Sequence, residues 1–154
     1  MSKVTPEIIK HRIDGTLKGL FESRNLPLYD MMSYHFGLHE DSLSKHASLL
    51  HGSTLLLSVD AFGGKVENAL PASVAVELVN GFCEIHDDVE SGRPQRSERD
   101  ALWWIWGPAQ AINAGNTSDN NDIPAFEQGM GGRVPHFIDL IVDIGFFLDI
   151  GIST

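Results

Sequence analysis

The feature that most constrains the fold is a long apolar segment that ends in a group of carboxylates. From Pro71 to Ile85 the residues are mostly apolar, and they would cover most of the circumference of a helix. A helix that is apolar nearly all round is normally buried among other helices. The pattern therefore predicts an interior helix over 71–85 in a multi-helix protein, with Cys83 buried on it.

The acidic stretch from Glu84 to Glu90 follows that helix and poses an electrostatic problem. The C-terminus of a helix carries partial negative charge, so carboxylates there are disfavoured. A divalent cation held by Asp87 and Asp88 would offset the repulsion, and carboxylate oxygens with retained water suit Mg²⁺. The alternative is a solvated helix end that binds nothing.

Composition excludes several classes of partner. The chain has 154 residues, which is enough for one compact domain, and a formal charge of −10, which argues against a nucleic-acid or anionic-membrane surface. The single cysteine cannot form an internal disulfide, which favours an intracellular setting. The N-terminus lacks the apolar core of a signal peptide, and no apolar run approaches the roughly 20 residues of a membrane span. We expect a cytoplasmic protein with no transmembrane segment.

Helical patterns occupy most of the first 115 residues. Thr5-Pro6-Glu7 is typical of a helix start, with a capping hydroxyl followed by proline in the first turn. Apolar spacing and glycine or proline stops predict helices over about 6–24, 28–36, 41–62, 71–85 and 101–114. Gly107-Pro108 should interrupt the last of these. The sequence therefore predicts an all-α fold.

The character of the chain changes after Gly115. Residues 116–124 are polar and rich in turn formers, which predicts a linker or exposed loop. The apolar tail that follows could form an amphipathic helix over 135–150, although its β-branched residues leave a strand open.

Several segments, in order and in register, resemble the trans-polyprenyl diphosphate synthase family. Residues 69–79, Phe82 and 85–90 resemble the family's central helix with its first aspartate-rich motif, Asp-Asp-x-x-Asp. The similarity continues through Gly92, Pro94, Arg96, Arg99, 102–103, 106–107 and 109–115, and upstream it includes 31–35 and 61–64. It covers about residues 5–116, which implies the first third to half of a family member.

The resemblance implies a fold and a chemistry. It implies a partial isoprenoid-synthase-type helical bundle over 1–116, with an atypical C-terminal extension over 117–154 made of a linker and an apolar tail. Family members join isopentenyl diphosphate to an allylic diphosphate, using Mg²⁺ held by two aspartate-rich motifs. By resemblance, Asp87 and Asp88 would bind Mg²⁺, and Arg96 would meet the allylic prenyl diphosphate.

Arginines recur every three residues after the acidic stretch, at Arg93, Arg96 and Arg99. They could clamp a diphosphate, since guanidinium groups make charge-assisted contacts to phosphate oxygens. They could equally form a solvated loop that balances the nearby acids. Arg96 and Arg99 are the candidate diphosphate ligands.

The departures from the family pattern fall mostly on one side of the implied site. The third motif aspartate is replaced by Ser91. Four groups expected around isopentenyl diphosphate are replaced by Leu49, Gly52, Asn80 and Ser97. The second aspartate-rich motif is absent from the sequence, and the pattern at 139–143 does not supply it. We expect a shortened family member that is not catalytically competent as a lone chain.

Two hypotheses for function remain, with a third that is remote. The first is a polyprenyl diphosphate synthase-like protein of isoprenoid metabolism that retains part of a Mg²⁺-dependent allylic diphosphate site and acts with a partner chain. The second is a non-catalytic remnant or interaction subunit of a prenyltransferase. The third is a metal phosphohydrolase built on His86-Asp87, with His46 or His51 as a further ligand. Apolar faces left uncovered by a shortened bundle predict a homo- or hetero-oligomer.

Glu84 is left open by the sequence. It stands on a helix expected to be interior, at a place where the family usually has an apolar residue. A buried unpaired carboxylate is costly. Glu84 is therefore predicted to be paired, bound to a metal, or exposed.

Overall fold

Six helices and one short β-hairpin make up the described part of the chain. A computed structural model describes residues 5–24, 26–38 and 49–120, with side chains described to residue 116 in the last range. The elements, in order, are α1 (Pro6–Glu22), α2 (Pro27–His35), α3 (Leu50–Ala61), α4 (Val66–Glu90), β1 (Gln95–Arg96), β2 (Arg99–Asp100), α5 (Leu102–Trp106) and α6 (Pro108–Asn120). The all-α fold class is confirmed.

Helix α1 forms where its capping pattern predicts it. Thr5 is the N-cap, and its Oγ1 accepts a hydrogen bond from the backbone N–H of Ile8 at 3.4 Å. Four buried apolar residues then recur at helical spacing and face the core: Ile9, Ile13, Leu17 and Phe21. Helix α2 also matches its prediction, beginning at Pro27 and ending before Gly37, whose φ of 70° lies in the left-handed region.

Helix α4 is the central element and packs against α3 and α6. It is longer than predicted, because it begins at Val66, which is buried, and continues through the acidic stretch to Glu90. Pro71 lies inside it rather than at its start. The prediction that Cys83 is buried is wrong, because Cys83 lies exposed on α4.

The helices on either side of α4 differ from prediction at their ends. Helix α3 begins at Leu50 in the described residues, and the predicted start near residue 41 lies outside them. Gly107, with a φ of 85°, separates α5 from α6, as its position before Pro108 predicts. Helix α6 continues to Asn120, so residues 116–120 are helical and not the predicted loop. The predicted apolar tail over 135–150 lies outside the described residues.

A two-stranded hairpin, which the sequence pattern did not predict, follows α4. Gln95 pairs with Asp100 and Arg96 with Arg99, in antiparallel register. Both turn residues, Ser97 and Glu98, have positive φ, at 51° and 62°. Such two-residue turns favour Asn-Gly or Asp-Gly, so Ser-Glu gave no hairpin signal. The hairpin matters because it places the Arg96 side chain against the acidic end of α4.

None of the helices described here has both the length and the apolar character needed to cross a bilayer.

Candidate functional site

The centre of the candidate site is a buried pair between Asp88, near the end of α4, and Arg96 on β1. Arg96 Nε lies 3.0 and 2.9 Å from the two carboxylate oxygens of Asp88, and Arg96 Nη2 lies 2.8 Å from Oδ1. The Asp88 side chain is only 4% exposed. A buried carboxylate needs a partner of this kind, because an unpaired charge in the interior is strongly destabilising.

Asp87 lies one residue earlier and closer to solvent, with a side chain 52% exposed. Its Oδ2 accepts from Arg96 Nη2 at 2.8 Å and from Arg93 Nη1 at 2.7 Å. Arg93 Nη1 also lies 3.2 Å from Asp88 Oδ1. The structure therefore brings the predicted metal ligands Asp87 and Asp88 together with Arg93 and Arg96, and these guanidinium groups supply the positive charge that the acidic helix end requires.

The donor set at this helix end fits Mg²⁺. Arg93 Nη1 lies between oxygens of two carboxylates, which marks a position where a cation is attracted by both Asp87 and Asp88. Mg²⁺ is commonly held by one or two carboxylates together with retained water and phosphate oxygens. The hydroxyl of Ser91 donates to the Asp87 carbonyl at 2.6 Å. No group of three or more His, Cys, Asp or Glu side chains suited to a metal occurs in the part of the chain that the structure describes.

Glu84 is paired, which answers the question that the sequence left open. Asn80 Nδ2 donates to Glu84 Oε1 at 3.2 Å, and Arg96 Nη1 lies 3.7 Å from the same oxygen. His35 Nε2 lies 3.4 Å from Oε2. This distance allows an ion pair, but the geometry does not meet the criteria for a hydrogen bond. Burial raises the pKa of Glu84, but His35, Arg96 and Asn80 together outweigh burial and hold the pKa below its ordinary value.

Arg99 binds the C-terminal end of α2. Its guanidinium is buried, with Nη1 donating to the carbonyl of Tyr34 at 2.5 Å and Nη2 to the carbonyl of His35 at 2.7 Å. These carbonyls lie at the C-terminus of α2, where a cation is favoured by the helix dipole. In this structure Arg99 therefore anchors the hairpin to α2, and its predicted role as a diphosphate ligand stays a prediction.

A second buried carboxylate, Glu77, is a residue that the sequence analysis missed. Its side chain is 1% exposed, and its Oε1 accepts from the backbone N–H of Gly52 at 2.6 Å in the first turn of α3. Burial raises the pKa of Glu77, while the hydrogen bond from Gly52 opposes the rise. The only sequence signal was a lone acid on an apolar helix face.

Gly52 lies where α3 packs tightly against α4. A Cβ atom added there would lie 2.7 Å from the carbonyl oxygen of Ser73 and 3.0 Å from Cγ of Glu77. The neighbouring Leu49 is also buried, at 2% exposed. In this packing there is no room for an arginine at position 52, where the family resemblance implies a phosphate-binding arginine.

His86 and Trp103 lie in ordinary packing environments. His86 Nδ1 lies 2.9 Å from the Phe82 carbonyl, and its ring is 4.1 Å from the Phe82 ring, measured between centroids. Trp103 is partly buried, whereas Trp104 is 60% exposed, so the tryptophans of α5 do not share one face. His46, a suggested ligand of the remote phosphohydrolase hypothesis, lies outside the described residues.

Comparison with known proteins finds prenyl diphosphate synthases that are similar in sequence to this chain. A geranylgeranyl diphosphate synthase of Mycobacterium tuberculosis is 36% identical over 99 residues, which cover 62% of this chain and 28% of the relative. A (2E,6E)-farnesyl diphosphate synthase of Mycobacterium bovis is 27% identical over 108 residues, covering 68% of this chain and 30% of the relative. No family model matches the chain.

A solved structure of a related enzyme is similar to this chain in fold. The polyprenyl synthetase of Streptomyces coelicolor superposes with a TM-score of 0.62 at 30% identity, covering 73% of this chain and 34% of that chain. The chain thus spans less than a third of the length of the two curated relatives, at 28% and 30%. Over the region that it shares with these proteins, the chain resembles trans-prenyl diphosphate synthases in both sequence and fold.

Proposed function

We propose that this chain binds the diphosphate group of an allylic prenyl diphosphate at the acidic end of α4, in a Mg²⁺-dependent manner. The single observation that carries the proposal is the convergence of Asp87, Asp88 and Arg96 in a chain that resembles trans-prenyl diphosphate synthases. Asp87 and Asp88 would hold the cation, and Arg96 would contact diphosphate oxygens. When bound, Mg²⁺ supplies neutralisation of the diphosphate charge.

Arg96 is suited to orienting a diphosphate because its guanidinium is already held in place. It donates through Nε and Nη2 to Asp88, and its strand β1 is fixed by pairing with β2. Its side chain keeps 23% exposure, so part of the group faces outward. A preorganised arginine loses less conformational freedom on binding phosphate than a free side chain does.

We further propose that the chain does not by itself condense two substrates. The support comes from position 52, where glycine and the buried carboxylate of Glu77 stand in place of a cationic side chain. A carboxylate close to a second diphosphate would repel it, and each lost charge-assisted contact weakens binding by about 1.5–3 kcal/mol. Turnover would need a partner chain, or residues outside this region, to supply the missing phosphate contacts. The proposal keeps the predicted cytoplasmic location.

A calorimetric titration tests the proposal. Dimethylallyl diphosphate is titrated into the purified chain with and without Mg²⁺, and the titration is repeated with Asp87→Ala and with Gly15→Ala as a distant control. We expect saturable binding that requires Mg²⁺, is lost in Asp87→Ala and is kept in Gly15→Ala. Absence of binding by a folded wild-type chain at millimolar ligand contradicts the proposal.

A second candidate function is that of a non-catalytic interaction subunit, and one observation favours it. Among the residues whose side chains the structure describes, four large apolar ones are more than half exposed, namely Leu26 at 57%, Leu50 at 60%, Phe62 at 92% and Trp104 at 60%. Where such residues form one contiguous patch, they are typical of contact with another protein. Self-association without any diphosphate binding would favour this second function over the first.

A further inference from the structure

Arg93 and Arg96 contact the same two carboxylates but are held very differently. Arg96 makes three contacts of 3.0 Å or less to the buried Asp88, through Nε and Nη2. Arg93 reaches the aspartates through Nη1 alone, and its side chain is 43% exposed. Removing the Arg96 guanidinium would take three close contacts from a buried carboxylate, whereas removing that of Arg93 would take only one longer contact from it.

The backbone of Arg93 is fixed independently of its side chain. Its N–H donates to the Asp88 carbonyl at 3.0 Å, and its own carbonyl accepts from Trp103 Nε1 at 2.6 Å. The guanidinium can therefore leave the aspartates without any change in the loop that carries it. Its position between Asp87 and Asp88 is the position where a cation would be attracted by both carboxylates.

We infer that Arg93 is a displaceable internal counter-ion, which occupies the cation position on Asp87 and Asp88 and lowers the affinity of the site for Mg²⁺. The inference rests on the proposed function, since it concerns the same cation site. A divalent cation must displace the Arg93 side chain, while Arg96 stays on Asp88. The released guanidinium then lies beside the cation, where an incoming diphosphate would attract it.

Magnesium chloride titrated calorimetrically into the chain at low ionic strength, without any diphosphate, tests the inference. Arg93→Gln removes the competing charge, and Arg93→Lys keeps it. Arg12→Gln is the matched control, because Arg12 forms an exposed pair with Glu67 at 2.6 Å and its loss changes the net charge equally. Circular dichroism of each variant verifies that the helices are kept.

We expect Arg93→Gln to bind Mg²⁺ about fivefold more tightly than wild type, the factor that corresponds to a partly exposed ion pair. Arg93→Lys and Arg12→Gln should stay within about twofold of wild type, and the gain should shrink as salt screens the charges. Equal affinities for Arg93→Gln and Arg12→Gln overturn the inference, as does an absence of Mg²⁺ binding by Arg93→Gln.

Failure of the inference is distinguishable from failure of the proposed function. Dimethylallyl diphosphate is titrated into the same proteins at saturating Mg²⁺. If wild type binds the diphosphate while Arg93→Gln shows no gain for Mg²⁺, only the inference fails. If wild type binds no diphosphate under any condition, the proposed function fails, whatever the Mg²⁺ titrations show.

Discussion

Replacing Gly52 by alanine should destabilise the fold, although alanine is the better helix former. The added Cβ would lie 2.7 Å from the backbone carbonyl oxygen of Ser73 on α4. Backbone cannot rotate away as a flexible side chain can, so α3 and α4 must separate. Overpacking of this kind typically costs about 1–3 kcal/mol. The gain in helix propensity, at most about 1 kcal/mol, offsets part of the cost.

The chain contains a matched control for this substitution. Gly15 lies in the middle of α1, is exposed, and has no atom within 4 Å of an added Cβ. Gly15→Ala should therefore stabilise the protein by about 0.5–1 kcal/mol. The two variants introduce the same methyl group into a helix and differ only in what that methyl group meets.

Urea denaturation followed by circular dichroism measures both effects as free energies of unfolding. We expect the free energy of unfolding of Gly52→Ala to be about 1–2 kcal/mol lower than that of wild type. The free energy of unfolding of Gly15→Ala should be higher than that of wild type. A Gly52→Ala variant as stable as Gly15→Ala would refute the close approach of α3 and α4. It would also remove the structural argument that an arginine cannot occupy position 52.

Three further predictions follow from other contacts. Arg99→Met should destabilise the fold by about 1–3 kcal/mol in urea denaturation, because the two carbonyls at the end of α2 lose their donor; a loss no larger than that of Arg12→Gln would contradict this. The pKa of Glu77 is raised in the folded state above its ordinary value of 4.5. The folded protein therefore loses stability as the pH rises from 4.5 through the folded-state pKa of Glu77. The urea midpoint of Glu77→Gln should therefore rise relative to that of wild type between pH 4.5 and 7. A difference between the two midpoints that stays constant across that range would argue against a raised pKa. Light scattering should report an oligomer, and a stable monomer at micromolar concentration would count against the predicted self-association.

Local sequence signals were sufficient for the elements that carry their own start and stop. Thr5 and Pro6 fix the beginning of α1, and Gly107 separates α5 from α6. The acidic run following an apolar helix was enough to select Asp87 and Asp88 as candidate site residues, which the structure brings together with Arg93 and Arg96. These features depend on residues close together in sequence, which is why a single sequence reveals them.

Features that depend on contacts distant in sequence were not predictable in the same way. The Ser97-Glu98 turn adopts positive φ without glycine or asparagine, so its hairpin had no signature. The burial of Glu77 depends on the N–H of Gly52, 25 residues away. The exposure of Cys83 depends on which helices pack beside α4, and the helix pattern alone suggested burial.

At the acidic end of α4, the sequence indicates that the carboxylates repel one another but not which groups neutralise them. The repulsion among the carboxylates was evident from sequence, and a metal ion was one way to relieve it. In the structure, Arg93 and Arg96 supply positive charge from the loop and hairpin that follow. The same arginines were visible in sequence as a three-residue repeat, but their geometry relative to the aspartates was not.

The most direct test of the central claim is a crystal structure of the chain with dimethylallyl diphosphate and Mg²⁺. The account predicts diphosphate density within hydrogen-bond distance of the Arg96 guanidinium, a cation on Asp87 and Asp88, and Arg93 turned away from both carboxylates. Unchanged arginine–aspartate pairs at saturating ligand, or a diphosphate bound elsewhere on the chain, would contradict it.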